Sequence, residues 1–187
     1  MVTIGILSVG KTDSEVLNRI AENLRMAFSE AEITVASEAL PIPEEAFSRA
    51  RQQYRSDIIL NAIRGYAEKD GTTRMLGVAD VDIFMPKLNF VFGQAECPGK
   101  AALISLFRLK PEFYGRPSNV QVVIDRGTKE AVHEIGHTLG LKHCANPYCV
   151  MYFSNSIFET DRKQSLFCNK CHLKTQSTTA EPGKMRD

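Results

Sequence analysis

The sequence predicts an α/β domain whose twisted sheet is mostly parallel and is covered by helices. The first observation behind this fold class is alternation, because runs of β-branched and aliphatic residues alternate with longer segments of helical periodicity. The second is a later part rich in strand-like segments, which allows one antiparallel strand at an edge of the sheet. The third is size, because 187 residues with 43% hydrophobic content suffice for the core of one domain.

The N-terminal part begins with a strand, a helix and a second strand. Residues 2–9 are mostly β-branched or aliphatic, which predicts a buried strand. Apolar residues at helical spacing over 14–31 predict a helix capped by Asp13 or Ser14. A short apolar run at 33–36 predicts the second strand.

A second, longer helix follows, and after it comes a group of strands. Pro43 stands where a helix would start, and we expect this helix to run over 44–67 and to back the sheet. The segments 72–79, 89–96 and 101–109 then have the composition of further strands. The stretch between the first two of these segments has no clear periodicity.

A third helix is predicted to end close to Leu139. Ser118 followed by Gln121 three residues later has the pattern of a capping box, and the apolar residues beyond it follow one helical face. A strand over 120–124 remains an alternative, since Gly127 interrupts the helical pattern.

The motif HEIGHTLGLKH, which starts at His133, has the form HExxHxxGxxH and is typical of a zinc site. On a helix, His133 and His137 present two imidazoles from one face. Glu134 points about 100° away from His133, beside the metal, and could accept a proton from a water that the metal holds. Gly140 would end the helix in a left-handed conformation, so that the chain returns His143 to the same ion as a third ligand.

Three histidine ligands leave the fourth zinc position open for water, which indicates a catalytic rather than a structural ion. The sequence thus predicts hydrolysis by a zinc-activated water with Glu134 as general base. Two alternatives remain for this stretch: an amphipathic helix end with coincidental histidines, or another transition metal at the three imidazoles.

Four cysteines after the histidine motif predict a second, structural zinc site, which makes two Zn²⁺ per chain. Cys144 and Cys149 form one pair, and Cys168 and Cys171 form a CxxC pair. Two disulfides and four unrelated buried thiols are the alternatives, and His172 could replace one sulfur ligand.

The two predicted metal sites are neighbours in sequence, since Cys144 directly follows His143. Loss of the cysteine-bound zinc should therefore disorder His143 and weaken the histidine site. The remaining cysteine, Cys97, is expected to be a small buried hydrophobic residue.

These features divide the chain into three parts. Residues 1–143 form a catalytic domain that ends at the third histidine ligand, and 144–172 form a small subdomain around the structural zinc. Residues 173–187 have few apolar side chains to bury, so we expect a flexible tail.

The histidine motif and a methionine downstream resemble the metzincin clan of zinc metallopeptidases, in which a Met-turn underlies the metal. With the cysteine set included, the chain resembles the archaemetzincins more narrowly, and the likeness extends over residues 2–172. Segments 81–93 and 105–109 share it. The residues that carry the resemblance are His133, Glu134, His137, Gly140, His143, Cys144, Cys149, Met151, Cys168 and Cys171.

The resemblance implies the metzincin architecture: a twisted mixed sheet, a backing helix, an active-site helix and a small C-terminal subdomain. It also implies an antiparallel edge strand within 89–96 as the rim of the cleft, and peptide substrates cut in an aminopeptidase-like way or as short peptides. Several metzincins have a tyrosine two residues after the Met-turn methionine. Here that position is Phe153, and Tyr152 comes one residue earlier.

Charge and the N-terminal sequence bound the possible partners. Lysine and arginine number 23 against 22 acidic residues, so neither nucleic acid nor a membrane surface is an expected partner. No signal peptide or membrane-length apolar run is evident, and we expect a cytoplasmic monomer.

Two rival functions remain at this point. One is a catalytically silent, zinc-binding regulatory protein on the same scaffold, although Glu134 is intact. The other is a zinc ribbon that binds nucleic acid, for which the nearby basic residues Arg162, Lys163 and Lys170 are few.

Overall fold

The computed structural model describes residues 2–179, and the side chains of residues 2–175. The strands of this part, in chain order, are β1 (Val2–Val9), β2 (Ala31–Val35), β3 (Phe47–Ser48), β4 (Gln53–Arg55), β5 (Arg74–Ala79), β6 (Ile83–Phe84), β7 (Gly93–Ala95) and β8 (Ala101–Ser105). The α-helices are α1 (Ser14–Ala27), α2 (Ser56–Asp70), α3 (Val120–Thr138), α4 (Ile157–Arg162) and α5 (Asn169–Thr179).

A five-stranded sheet with the order β2-β1-β5-β8-β7 forms the centre of the fold. Its first four strands are parallel, and β7 runs antiparallel to β8 at the edge, with Gln94 opposite Leu103. The predicted mixed sheet and its antiparallel edge strand within 89–96 are thus confirmed. A smaller sheet of β3, β4 and β6 lies beside it.

The main sheet separates two hydrophobic clusters. On one face α1 and α3 pack together with C-terminal residues such as Val150 and Ile157. On the other face α2 packs through Ile59 and Ile63, which makes it the backing helix that the sequence predicts. Every residue of β8 is buried, so this strand is a continuous apolar run rather than an alternating one, as expected for a strand covered on both faces.

The first helix begins where predicted and ends earlier. Asp13 caps α1, and its Oδ1 accepts hydrogen bonds from the backbone N–H groups of Glu15 and Val16. The helix stops at Ala27 instead of residue 31, because β2 already starts at Ala31 to pair with the first residues of β1.

The prediction of one long helix over 44–67 is wrong in its first part. Glu44–Ala46 form only a single 3-10 turn, a short hairpin of β3 and β4 follows, and α2 begins at Ser56. The aromatic rings of Phe47 and Tyr54, which both lie inside the predicted helical range, contact each other across the hairpin with centroids 4.9 Å apart. Cross-strand pairing of aromatic side chains stabilises such a hairpin.

Helix α3 is confirmed, and the strand alternative over 120–124 is excluded. Asn119 rather than Ser118 caps it, since the Asn119 side chain accepts a hydrogen bond of 3.2 Å from Val122 N–H. Gly127 fits inside the helix because α1 passes close by. A Cβ at this position would lie only 2.8 Å from Ile20 Cδ1.

The C-terminal segment contains a helix where we expected a flexible tail. Helix α5 covers Asn169–Thr179, so residues 173–179 of the predicted tail are helical. Cys171 and Thr175 are buried one turn apart, which holds the helix against the rest of the protein. Residues 180–187 lie outside the described residues. In the described part of the chain, no helix is both long and apolar enough to cross a bilayer.

Two glycine substitutions test the packing of the backing helix on the sheet. A Cβ at Gly77 of β5 would lie 2.3 Å from Ile63 Cδ1, and we expect Gly77→Ala to lower the free energy of unfolding by about 1–3 kcal/mol. Gly65 on α2 has no heavy atom within 4 Å of such a Cβ, so Gly65→Ala should raise stability by about 0.5–1 kcal/mol. Denaturant unfolding measures both, and equal effects of the two substitutions would contradict this packing.

Candidate active site

The three histidines of the motif come together at the end of α3. His133 and His137 lie on its last two turns, and the helix ends at Thr138. Gly140 then adopts a φ of +87°, a left-handed conformation that favours glycine, and the chain turns back to His143. One ring nitrogen from each histidine lies within 4.8 Å of the others.

The backbone fixes which nitrogen of two of these rings carries the proton. His133 Nδ1 lies 2.7 Å from the carbonyl oxygen of Val150, and His137 Nδ1 lies 2.7 Å from that of Leu141. A carbonyl only accepts, so each Nδ1 must donate a proton. In the neutral rings each Nε2 atom then has a lone pair and no proton, and the two Nε2 atoms lie 3.1 Å apart. No hydrogen bond can join them in this state, and an ion between them would remove the repulsion.

These distances and charges fit a metal ion. Two imidazole nitrogens on one tetrahedral Zn²⁺ are about 3.3 Å apart, which follows from Zn–N bonds of about 2.0–2.1 Å. Burial lowers the pKa of His133, His137 and His143, so all three rings are neutral at physiological pH and can offer lone pairs.

The carboxylate of Glu134 lies in the same cleft, at the edge of the sheet. Its side chain is buried, and this burial, followed by the charge of Glu130, raises its pKa well above the ordinary value, while Lys163 opposes the shift. Gly93 of β7 lies directly against it, since a Cβ there would be 2.7 Å from both Glu134 Cγ and Oε1. The absence of a side chain at Gly93 therefore makes room for this carboxylate.

Met151 lies beneath the histidine helix and is fully buried. Gly136, between the two helical histidines, accommodates it, because a Cβ there would lie 2.5 Å from Met151 Sδ. The methionine is thus a packing contact under the site, as the resemblance implied.

A cleft of about 640 Å³ opens over the histidines and Glu134. Residues 88–95 line one side of it, and 153–155 line another. Phe153, at the position where several metzincins have tyrosine, packs its ring against His143 with centroids 4.8 Å apart. Phenylalanine has no hydroxyl, so this position contributes an apolar wall and no hydrogen-bond donor.

The four cysteines also come together. One sulfur atom from each lies within 4.8 Å of the others, and the group that the described residues form contains no histidine, so His172 does not join it. Cys144 Sγ and Cys168 Sγ are 3.9 Å apart. Two sulfurs on one tetrahedral Zn²⁺ are about 3.8 Å apart.

The charge state of these thiols suits a metal as well. Burial acts to raise the pKa of Cys168, but hydrogen bonds from the Cys171 backbone and from neighbouring thiols outweigh it and lower the pKa to about 7. Burial, and then the charge of Cys149, raise the pKa of Cys171. The cluster therefore gives up its first proton easily and resists further charge, which a bound cation would compensate.

The two clusters are joined through the Met-turn. Cys144 N–H donates to the carbonyl of Met151 at 2.9 Å, and the preceding carbonyl, that of Val150, holds His133. A shift of the cysteine cluster would therefore be transmitted to both His133 and His143.

The structure corrects two of our expectations about individual residues. Cys97 is exposed instead of buried, because it lies in the turn between β7 and β8 at the rim of the cleft. Lys163, which we counted among basic residues available to nucleic acid, is fully buried and forms an ion pair with Glu130. This removes one of the three basic residues on which that rival rested.

Comparisons with known proteins identify the family. A sequence model of Peptidase family M54 matches residues 1–177. The chain belongs to this family. Archaemetzincin of Methanocaldococcus jannaschii is 45% identical over 92% of each chain. The crystal structure of archaemetzincin from Methanopyrus kandleri has a TM-score of 0.82 and 34% identity, with 96% of each chain covered. That of Archaeoglobus fulgidus, complexed with malonate, has a TM-score of 0.79 and 38% identity, covering 92% of this chain and 99% of that one.

Membership of family M54 makes the chain a zinc metallopeptidase that acts on peptides. The resemblance drawn from the histidine and cysteine motifs is thereby confirmed, as is the predicted fold class. The geometry adds residues that sequence reasoning missed. Gly93 and Gly136 make room for their neighbours, and Glu130 in the cleft wall forms a buried ion pair with Lys163. Glu130 precedes Glu134 by one helical turn, a spacing that could have drawn attention to it.

Substitution of Gly93 tests whether space for Glu134 matters. Gly93→Ala should push the carboxylate aside, and we expect peptidase activity to fall about 100-fold while bound zinc is retained, because small displacements of reacting groups are costly. Activity is measured on short peptides, together with metal content and thermal unfolding. Unchanged activity in a folded, zinc-loaded variant would contradict the close contact.

Proposed function

We propose that His133, His137 and His143 hold the zinc ion of this metallopeptidase and that Glu134 is its general base. The observation that carries the proposal is the pair of Nε2 lone pairs that face each other at 3.1 Å beside a buried carboxylate. When bound, zinc supplies Lewis-acid chemistry: it polarises the peptide carbonyl and makes a water molecule more acidic.

Glu134 would carry the proton through the reaction. Its carboxylate takes a proton from the attacking water and later gives it to the amine that leaves. A raised pKa suits this work, because a group that must both accept and release a proton is most effective when its pKa lies near the working pH. Gly93 leaves the space in which this carboxylate lies against β7.

The edge strand β7 would bind the substrate as an added strand. Phe92 C=O and Glu96 N–H point to β8, where they bond to Ser105 and Ala101. In an antiparallel strand the direction of these groups alternates, so Gly93 and Ala95 present theirs to the cleft. A peptide laid along β7 would thus pass directly over Glu134 and the histidines. This arrangement suits short, extended peptides as substrates, and aminopeptidase-like trimming of them is a proposal that rests on the resemblance alone.

We further propose that Cys144, Cys149, Cys168 and Cys171 hold a second, structural zinc, which gives two ions per chain. Four sulfur ligands fill a tetrahedral site and leave no position for a substrate. The support is the grouping of the four sulfurs within 4.8 Å of one another. In addition, Cys144 directly follows His143 in the sequence.

Replacement of the base separates catalysis from metal binding. Glu134→Gln keeps the size of the side chain but removes its ability to accept the proton, and we expect peptide cleavage to fall by about 10²–10⁴-fold with zinc content unchanged. A diverse library of short peptides, read by mass spectrometry, reports the activity and the cut positions. Glu68→Gln, at an exposed position of α2, is the matched control. Equal cleavage by the wild type and Glu134→Gln would overturn the assignment of the base.

Disruption of the cysteine cluster tests the second ion and its link to the first. Cys149→Ser should reduce bound zinc from two ions to one per chain and weaken the remaining site by about 10–100-fold, because His143 loses its anchor. Elemental analysis and competition with a chelator measure both effects. Cys97→Ser is the control and should keep two ions. A Cys149→Ser protein with two tightly bound zinc ions would contradict the proposal.

A further inference from the structure

The wall of the cleft contains a second carboxylate that the proposed mechanism does not use. Glu130 lies one turn before Glu134 on α3 and lines the same cleft, with 4% of its side chain exposed. The charged residues of the cleft lining are Glu130, Glu134 and Lys142, and the other lining side chains are apolar and neutral polar in similar numbers. An ionised carboxylate is costly to bury in such surroundings unless it is paired.

Glu130 is paired, and its partners fix one of its two oxygens. Oε1 accepts a hydrogen bond from Thr160 Oγ1 at 3.0 Å, and Lys163 Nζ lies 3.0 Å from the same oxygen. Both partners come from α4 and the residue that follows it. Lys163 is fully buried, so this pair is shielded from the screening that weakens surface ion pairs.

The second oxygen, Oε2, is left for the cleft. Among the described residues, the hydrogen bond from Thr160 and the ion pair with Lys163 both join Glu130 at Oε1. Two nearby atoms are buried and have no hydrogen bond of good geometry: Lys163 Nζ, and the hydroxyl of Ser154 in the cleft lining. Among the described side chains, Oε2 of Glu130 does not belong to this class of buried, unpaired atoms. The arrangement therefore presents a charged hydrogen-bond acceptor in the wall of the cleft, and its counter-charge, Lys163, lies outside the cleft lining.

We propose that Glu130 is a specificity-determining residue that accepts a hydrogen bond from a side chain of the bound peptide. The ligand class is a residue whose side chain donates hydrogen bonds, an amide or a basic group, and acidic side chains are disfavoured. Lys163 is the positioning residue, which orients the carboxylate and compensates its charge. The inference rests on the proposed function only in placing a peptide in this cleft.

A purely structural role of the pair makes a different prediction. If Glu130 and Lys163 only fasten α4 to α3, the affinity for a peptide should not depend on whether its side chains donate or accept hydrogen bonds. Peptides that differ at one position by Gln, Lys, Met or Glu, walked along an otherwise constant sequence, separate the two roles. Gln, Met and Glu are similar in size and differ in polarity.

The experiment measures binding, so that it does not depend on turnover. The full chain with Glu134→Gln, loaded with zinc, is titrated with each peptide by calorimetry. We expect Gln and Lys at one position to bind about tenfold more tightly than Met, with Glu weakest, since a hydrogen bond to a charged group has about this worth. Equal affinities at every position, including the absence of measurable binding by all peptides, would overturn the inference.

Variants then assign the preference to this pair. Adding Glu130→Gln together with Lys163→Met removes both charges at similar volume, and Gln, Met and Glu peptides should then bind within about twofold of one another. Glu130→Gln alone leaves the ammonium uncompensated and should shift the preference towards Glu. Glu68→Gln is the control. A preference for Gln over Glu that survives in the folded double variant would overturn the inference.

Cleavage by the wild type is recorded separately with the same peptides. Its absence would count against the proposed peptidase mechanism, while the binding profile would still decide the role of Glu130. Thermal unfolding and zinc content establish that each variant is folded. The comparison among peptides on the parent protein needs no substitution at Glu130 or Lys163, so it remains decisive even if the double variant fails to fold.

Discussion

Two hydrogen bonds from imidazole to backbone carbonyl govern the geometry of the whole site. They fix His133 and His137 in one tautomer and aim two lone pairs at one point. The carbonyls come from Val150 and Leu141, in the segment that follows the helix. The chain must therefore turn at Gly140 and return beneath α3 before the site exists. A helix with the same histidines but without this return would present two freely rotating rings.

The dependence on the returning segment explains why the small C-terminal part is tied so firmly to α3. Met151 packs against Gly136, and the Arg126 guanidinium forms two hydrogen bonds to Asp161 of α4. The buried pair of Glu130 and Lys163 adds a further connection. The cysteine cluster fixes the far end of the same segment. A substitution that loosens the C-terminal part should consequently also disorder the histidines.

The sequence predicted the features that depend on residue types at fixed local spacing. It did not predict the features that depend on contacts between residues far apart in the chain. The motif from His133 to His143 requires particular residue types at particular spacings, so the grouping of its histidines could be foreseen. Phe47 and Tyr54 fit a helical pattern as well as a hairpin, and only the pairing with β6 selects the hairpin. Glycines such as Gly93 and the buried Lys163 gave no local signal. Their roles depend on side chains that approach from distant parts of the chain.

The short length of β7 limits how many residues of a peptide could pair with this edge of the sheet. Three residues form the strand, and two of them, Gly93 and Ala95, direct their backbone groups outward, so a peptide added to β7 as we propose would pair over about three residues. A longer peptide would gain no further backbone hydrogen bonds to β7. Under that proposal, selection would depend on individual side chains and on the ability of a segment to become fully extended, which would favour chain ends and fragments over compact folded proteins.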